Sequence, residues 1–161
     1  MNTSDVIRQL QLQAHPEGGY YRETYRSRTQ VKNHGRIRNV CTAIYYLLEN
    51  DDKSHFHRIQ SDEIWHFHLG EPLELVQIEG GQLVVTILGN QLENGEIPQA
   101  VVPANTWFAA RVKDGSGFSL VSCTVAPGFD FADFELAKRK PLIREFHHLK
   151  EAIELFTDSS D

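Results

Sequence analysis

The chain has 161 residues, 40% hydrophobic and 24% charged, with a formal net charge of −6; that length suits one domain burying roughly 70% of the surface its unfolded chain would expose. The acidic balance argues against a nucleic-acid backbone as the main partner, because such binders concentrate Lys and Arg on one face. No apolar run approaches the ~20 residues needed to cross a bilayer, and the first nineteen residues have neither the cationic start nor the apolar stretch of a secretory leader, so a cytoplasmic setting is expected.

In chain order, Thr3 or Ser4 is expected to cap a short helix in which Asp5 favours the positive end and Val6, Ile7 and Leu10 recur at helical spacing. His15-Pro16-Glu17-Gly18-Gly19 stops it. The pattern is then β-like, with strands expected at 20–25, 40–48, 54–58, 62–69, 73–79, 82–88, 106–112 and 118–125, many of them divided by Gly, Asn and Pro clusters. The run 40–48 is apolar on both faces, so each side needs a cover. The interior supplies one; the other is a second copy in a two-fold dimer, or the N-terminal arm or C-terminal helix of the same chain. Cys41 and Cys123 lie in apolar runs without a CxxC partner and read as buried thiols. Lys138-Arg139-Lys140 reads as a solvated turn. A short turn is expected at 133–138, and one helical face at 144–156 carries Phe146, Leu149, Ile153 and Phe156. Many short strands between turns indicate an all-β sandwich or barrel: one domain over 1–161, its barrel at about 19–126 and a helical tail at about 132–157.

The densest chemical signal is HFHRIQSDEIWHFHLG, residues 55–70, which holds four of the eight histidines. His55 and His57 are two apart, so on a regular strand they share a side. With Glu63 from the next strand they make a facial set for a divalent metal; alternatively they are polar strand residues half exposed to water. If Glu63 points inward, alternation carries Trp65 and Phe67 with it and sends His66 and His68 outward, unless a bulge reverses the order. His15, His34, His147 and His148 read as loop or helix-surface residues without a role.

This stretch resembles the first motif of the cupin superfamily: glycine, spacer, HxH, three or four residues, Glu, six residues, Gly. Here it reads His55-x-His57, five residues, Glu63, six residues, Gly70, with Glu49 where the leading glycine would stand. The second motif, PxGxxH, is met in outline by residues 103–108, where Phe108 holds the histidine's position and Asn105 the glycine's. HPEGGYYRETYRS (15–27), TAIYYLL (42–48), FHRIQSDEIWHFH (56–68) and VAPGFDFADFELA (125–137) resemble the blocks of one small branch grouped with sugar-epimerase-like cupins. The resemblance implies a jelly-roll barrel (a double-stranded β-helix), usually dimeric, that holds a small molecule.

Metal-dependent cupins generally use the HxH pair, the glutamate and the second-motif histidine. At most His55, His57 and Glu63 match here, a set that can hold zinc, iron or nickel. The metal-free alternative follows cupin-type sugar-nucleotide epimerases, in which a histidine abstracts a proton: His57, oriented by Glu63 or Asp62. The same pair can equally be a structural tether between strands. Tyr20, Arg22 and Tyr45, from the matched blocks, are expected at the mouth, with Trp65, Phe67 and Phe108 inside by parity; aromatic strand residues are otherwise plain core. Aromatic walls with one arginine suit a planar or sugar-like ligand with an anionic group, such as a sugar, nucleotide or organic acid. Three functions stay open: an isomerase or epimerase, a metal-dependent cupin enzyme, and a non-catalytic metabolite binder, since a fold alone does not choose.

Overall fold

A computed structural model describes residues 1–160. Helix α1 (Thr3–Leu10) is capped by Asn2 rather than by Thr3 or Ser4. Asn2 Oδ1 accepts the Asp5 N–H at 2.9 Å and the Asp5 carboxylate accepts the Asn2 N–H at 3.2 Å. This reciprocal box satisfies two N–H groups that a helix start would otherwise leave orphaned.

Two antiparallel sheets follow. The first has the order β1 (Gln13–Ala14), β2 (Tyr20–Arg26), β5 (Thr42–Glu49), β12 (Phe118–Ala126), β7 (Asp62–Gly70) and β10 (Gln99–Val102). The second runs β13 (Glu135–Leu136), β6 (Lys53–Arg58), β11 (Phe108–Val112), β8 (Leu73–Glu79) and β9 (Gln82–Leu88). A separate hairpin joins β3 (Gln30–Asn33) to β4 (Arg36–Asn39). Every strand expected from the sequence is present within a few residues. The hairpin and the short strands β1, β10 and β13 are additional. Residues 133–138 are not simply a turn: a 3-10 turn at Phe131–Asp133 leads into β13, which pairs with β6. The tail is not one helix either, but α2 (Arg139–Glu145), a 3-10 turn and α3 (Lys150–Leu155).

Strand alternation sorts the apolar residues into three clusters. Between the sheets lie Leu48, Trp65, Leu75, Phe108 and Val121 with their neighbours. Outside the second sheet, Phe56, Val76, Ile78 and Trp107 pack under the C-terminal helices against Leu142, Ile153 and Phe156. Outside the first, Leu47 and Leu120 are covered by α1 through Val6. The second face of β5 is therefore covered, at this end, by the chain's own N-terminal helix. Gly19, at φ +77°, lets β2 approach β5: a Cβ there would stand 2.5 Å from the Leu47 carbonyl oxygen. Among the described residues no helix is long and apolar enough to cross a membrane.

Candidate functional site

A cavity of about 580 Å³ opens between the two sheets, bordered by β1 and by the segment 127–134. Strand β7 supplies its first polar groups. Glu63 pairs with Val125 of β12 and Val102 of β10, and Trp65 with Cys123 and Ala100, so both side chains face inward. Phe67 shares that face but packs into the core instead of lining the cavity. His66 and His68 lie on the opposite face: His68 Nε2 is 2.5 Å from the Ser122 hydroxyl, and the Gln99 amide donates to His66 Nδ1 at 3.3 Å.

Glu63 is buried, and among the described residues its carboxyl has one hydrogen-bond partner, Trp65, whose indole N–H donates to Oε1 at 2.7 Å. Removal from water raises the carboxyl's pKa to about 7, with the Trp65 donor opposing the rise. Tyr46 and Cys123, on neighbouring strands, are also pushed up by burial. The Tyr46 hydroxyl donates to the Gly18 carbonyl at 2.8 Å.

The HxH pair does not act as a unit. Across from β11, His57 pairs with Phe108 while Ser54 pairs with Ala110, so three steps on β6 match two on its partner. This bulge breaks the alternation: Ser54 and His57 both line the cavity, and His55 does not. His55 lies toward the tail, near Asp158, whose carboxyl is lowered chiefly by hydrogen bonds from Ser160. The His55 backbone carbonyl, in turn, accepts a hydrogen bond from His57 Nδ1 at 2.7 Å. That bond places the His57 proton on Nδ1 and leaves Nε2 as an acceptor. Burial lowers the His57 pKa to about 4, so the ring is neutral at neutral pH. The expected His57–carboxylate contact is thus replaced by a backbone partner. Phe108, in the second-motif histidine's place, is fully buried with its ring 4.1 Å from that of His57.

These placements separate the three expected metal ligands. Among the described residues, no three His, Cys, Asp or Glu side chains gather to hold an ion. His55 turns away, His57 offers one nitrogen, and Glu63 is engaged by an indole. The residues present do not fit the three-ligand set.

Parity also moves the expected mouth. Tyr21 pairs with Tyr46, Glu23 with Ile44 and Arg26 with Thr42, and these are the β2 and β5 residues that line the cavity. Tyr20, Arg22 and Tyr45 therefore lie on the outer face and do not line it. Tyr20 and Tyr45 pack against the α1 cluster, and the Arg22 guanidinium sits 5.9 Å from the Tyr45 ring and donates to Gln11 Oε1 at 3.3 Å. A bulge between Glu23 and Tyr25 then turns Arg26 inward. Its guanidinium is already engaged by the Glu23 carboxylate (2.6 and 3.3 Å), Asn39 Oδ1 (2.8 Å) and the Phe129 carbonyl (3.1 Å).

Sequence reasoning missed His15, which lines the cavity beside Tyr21 and Tyr46, with ring centroids 4.8 and 5.6 Å away. Its Nδ1 accepts the Glu17 N–H at 3.0 Å, so Nε2 carries the proton, and burial lowers its pKa. The two cavity imidazoles are opposite tautomers, one with a free donor and one with a free acceptor. The segment 127–134 closes one side with Phe129, Phe131 and Phe134, and the Phe134 ring stacks 5.1 Å from His57. The signal for both was their membership of the matched blocks 15–27 and 125–137, since neither has a strand period to reveal its facing.

A family model described as "Cupin superfamily (DUF985)" matches residues 4–137. The uncharacterized protein YML079W of Saccharomyces cerevisiae is 32% identical over 165 residues, which covers 93% of this chain and 82% of that protein. A hypothetical protein from Leishmania major superposes with a TM-score of 0.92 at 36% identity, covering 98% of this chain and 99% of its own. Protein SO0799 from Shewanella oneidensis does so with a TM-score of 0.89 at 38% identity, covering 98% of each.

Proposed function

Because the chain belongs to the DUF985 family of the cupin superfamily, we propose that its jelly-roll barrel takes a small polar molecule into the inter-sheet cavity and that Glu63 moves a proton on it. The observation that carries this reading is a buried carboxyl, pKa about 7, facing a cavity of about 580 Å³. That volume suits a ligand of metabolite size. A proton-transfer group works best when its pKa lies near the working pH, because it is then both available and able to give the proton back.

The roles differ from those expected of a histidine base. His57, neutral from about pH 4 upward, is a weak base; it serves as a hydrogen-bond acceptor through Nε2 and orients a ligand hydroxyl or amine. Glu63 as carboxylate takes a proton from a carbon next to a carbonyl, and the electron pair of that C–H bond moves onto the carbonyl oxygen. The His15 Nε2–H is the donor suited to that developing charge, a neutral imidazole acting as electrophile. Glu63 then returns the proton to the neighbouring carbon while that carbon's hydroxyl proton passes to the former carbonyl oxygen, which moves the carbonyl by one carbon and gives isomerisation with no net change in oxidation state. Because the donor set does not fit a divalent metal, no step runs through one.

The test is solvent-deuterium incorporation, followed by NMR, across a panel of sugars and amino sugars. Exchange should rise with pH through about 7, since the base is the carboxylate form and is populated above the pKa of Glu63. Glu63→Gln should slow exchange by on the order of a hundredfold, the low end for removing a positioned acid–base group. Exchange at the wild-type rate in Glu63→Gln would remove Glu63 from the chemistry. Binding without exchange in the wild type would leave a metabolite-binding protein.

A further inference from the structure

We propose that the ligand of this cavity carries a positive charge, an ammonium group seated among the aromatic rings and carboxylates between the mouth and Glu63. The inference rests on the preceding reading only in that the cavity holds a small molecule; it is independent of any proton transfer.

The charge balance of the walls is the first argument. Glu17, Glu23, Asp130 and Glu63 line the cavity, against Arg26 as the one arginine or lysine. Arg26 is neutralised by Glu23 at 2.6 Å, and its remaining donors are held by Asn39 and the Phe129 carbonyl. Glu17 has no ion pair among the described residues, and Asp130 has only a distant one, Arg38 at 3.9 Å. His15 and His57 are neutral at neutral pH, both pKa values being lowered by burial. An anion entering here would meet net negative charge and no free cation. A cation would meet the half-buried Glu17 carboxylate, the weakly paired Asp130 and, deeper in, Glu63, with attraction growing as water is left behind.

The ring system is the second argument. Successive centroids lie 4.9 Å (Phe129–Phe131), 6.3 Å (Phe131–Phe134) and 5.1 Å (Phe134–His57) apart, and then 6.1 Å (Trp65–Tyr46) and 5.6 Å (Tyr46–His15). Aromatic walls stabilise a desolvated ammonium through the ring quadrupoles. Neutral planar ligands also like such walls, but they gain nothing from the carboxylates.

A cation beside Glu63 favours its ionised form, so binding should release a proton. The groups facing Glu63 are Trp65 on its own strand, Tyr46 from β5, Cys123 from β12, Val102 from β10 and His57 from β6 across the cavity. Tyr46 and Cys123 are pushed up and His57 down, so all three stay uncharged near neutrality and Glu63 alone responds.

Isothermal titration of the full chain with benzylammonium, benzyl alcohol and benzoate at millimolar concentration tests this. Benzylammonium should bind at least tenfold more tightly than benzyl alcohol, and benzoate should not bind detectably. Its affinity should rise between pH 6 and pH 8, and the heat at pH 6 should depend on the buffer's ionisation enthalpy because a proton is released. Glu63→Gln should abolish that pH dependence. Glu17→Gln should weaken benzylammonium several-fold and leave benzyl alcohol unchanged. Benzoate or benzyl alcohol binding as tightly as benzylammonium overturns the charge preference and leaves the small-molecule reading standing. Failure of all three to bind overturns both.

Discussion

Glu63→Gln should stabilise the protein above neutral pH, by on the order of 3 kcal/mol at pH 8, and leave it unchanged below about pH 4. Glutamine keeps the shape of the side chain and the amide oxygen that Trp65 needs as an acceptor. What it removes is the cost of ionising a carboxyl inside the barrel. In the folded protein Glu63 titrates near 7, against an ordinary value of 4.5. Between those values the folded chain holds a proton that the unfolded chain has lost, so stability is fully present below 4.5 and drains away as pH rises through 7. His57 contributes the opposite slope. Its folded pKa of about 4 lies below the ordinary 6.5, so stability falls as pH drops from 6.5 toward 4. In the wild type the two slopes oppose each other between 4.5 and 6.5, which flattens the profile. In Glu63→Gln the His57 slope alone remains, and stability should climb to about pH 6.5 and then level off. Urea midpoints at pH 4, 6 and 8 check this, and equal midpoints at pH 8 would show that Glu63 is not buried as described. The variant should gain stability as it loses proton exchange, the usual relation between a strained site and its activity.

Asp133→Ala should lower the urea midpoint well beyond the effect of an ordinary surface substitution, because it removes the shared partner of two arginines. The Asp133 carboxylate accepts two bonds from Arg38, at Nε and Nη2, both 2.8 Å, and one from Arg36 Nη1 at 3.2 Å. The Asp133 and Arg38 side chains are only 7% and 10% exposed, so the arginine left behind would keep no carboxylate nearer than Asp130 at 3.9 Å. Arg38 holds the Asp133 carboxyl below the usual carboxylate range, so this contribution persists until pH falls through that lowered value. Replacing both partners, Asp133→Leu with Arg38→Met, should recover much of the loss, because the charges then left behind, Arg36 and Asp130, have side chains about half exposed to water. A double variant no more stable than Asp133→Ala in urea would refute the ion-pair account. The pair also ties the β3–β4 hairpin to the segment carrying Phe129, Phe131 and Phe134, so the single variant should loosen one wall of the cavity.

Much of the barrel was legible because its strands repeat with period two between turn residues, and of the two facings left open for β7 the structure has the one without a reversal: Glu63 and Trp65 inward, His66 and His68 outward. The errors came where the period breaks. The bulge in β6 separates His55 from His57, and no residue in KSHFHR announces it. Strand β2, YYRETYR, has aromatic and charged residues on both faces, so parity could not distinguish Tyr21 and Glu23 from Tyr20 and Arg22. Its partner did hold the answer, since the cavity side of β5 is Ile44 and Tyr46. The strands β10 and β13 are too short to show a period. His15 and the phenylalanines after Pro127 sit in irregular backbone, where side-chain direction depends on tertiary contacts that composition does not encode.

The bond between the Trp65 indole and Glu63 makes the barrel its own optical indicator. The protein has two tryptophans, and the other, Trp107, lies outside the second sheet under the Arg58 guanidinium, 4.2 Å from its ring. The indole at Trp65 donates to an oxygen that changes from neutral to charged near pH 7, while the one at Trp107 sees a constant cation. Emission from the first therefore carries the protonation state of the cavity floor and emission from the second serves as an internal reference, so occupancy can be followed by light without attaching a dye.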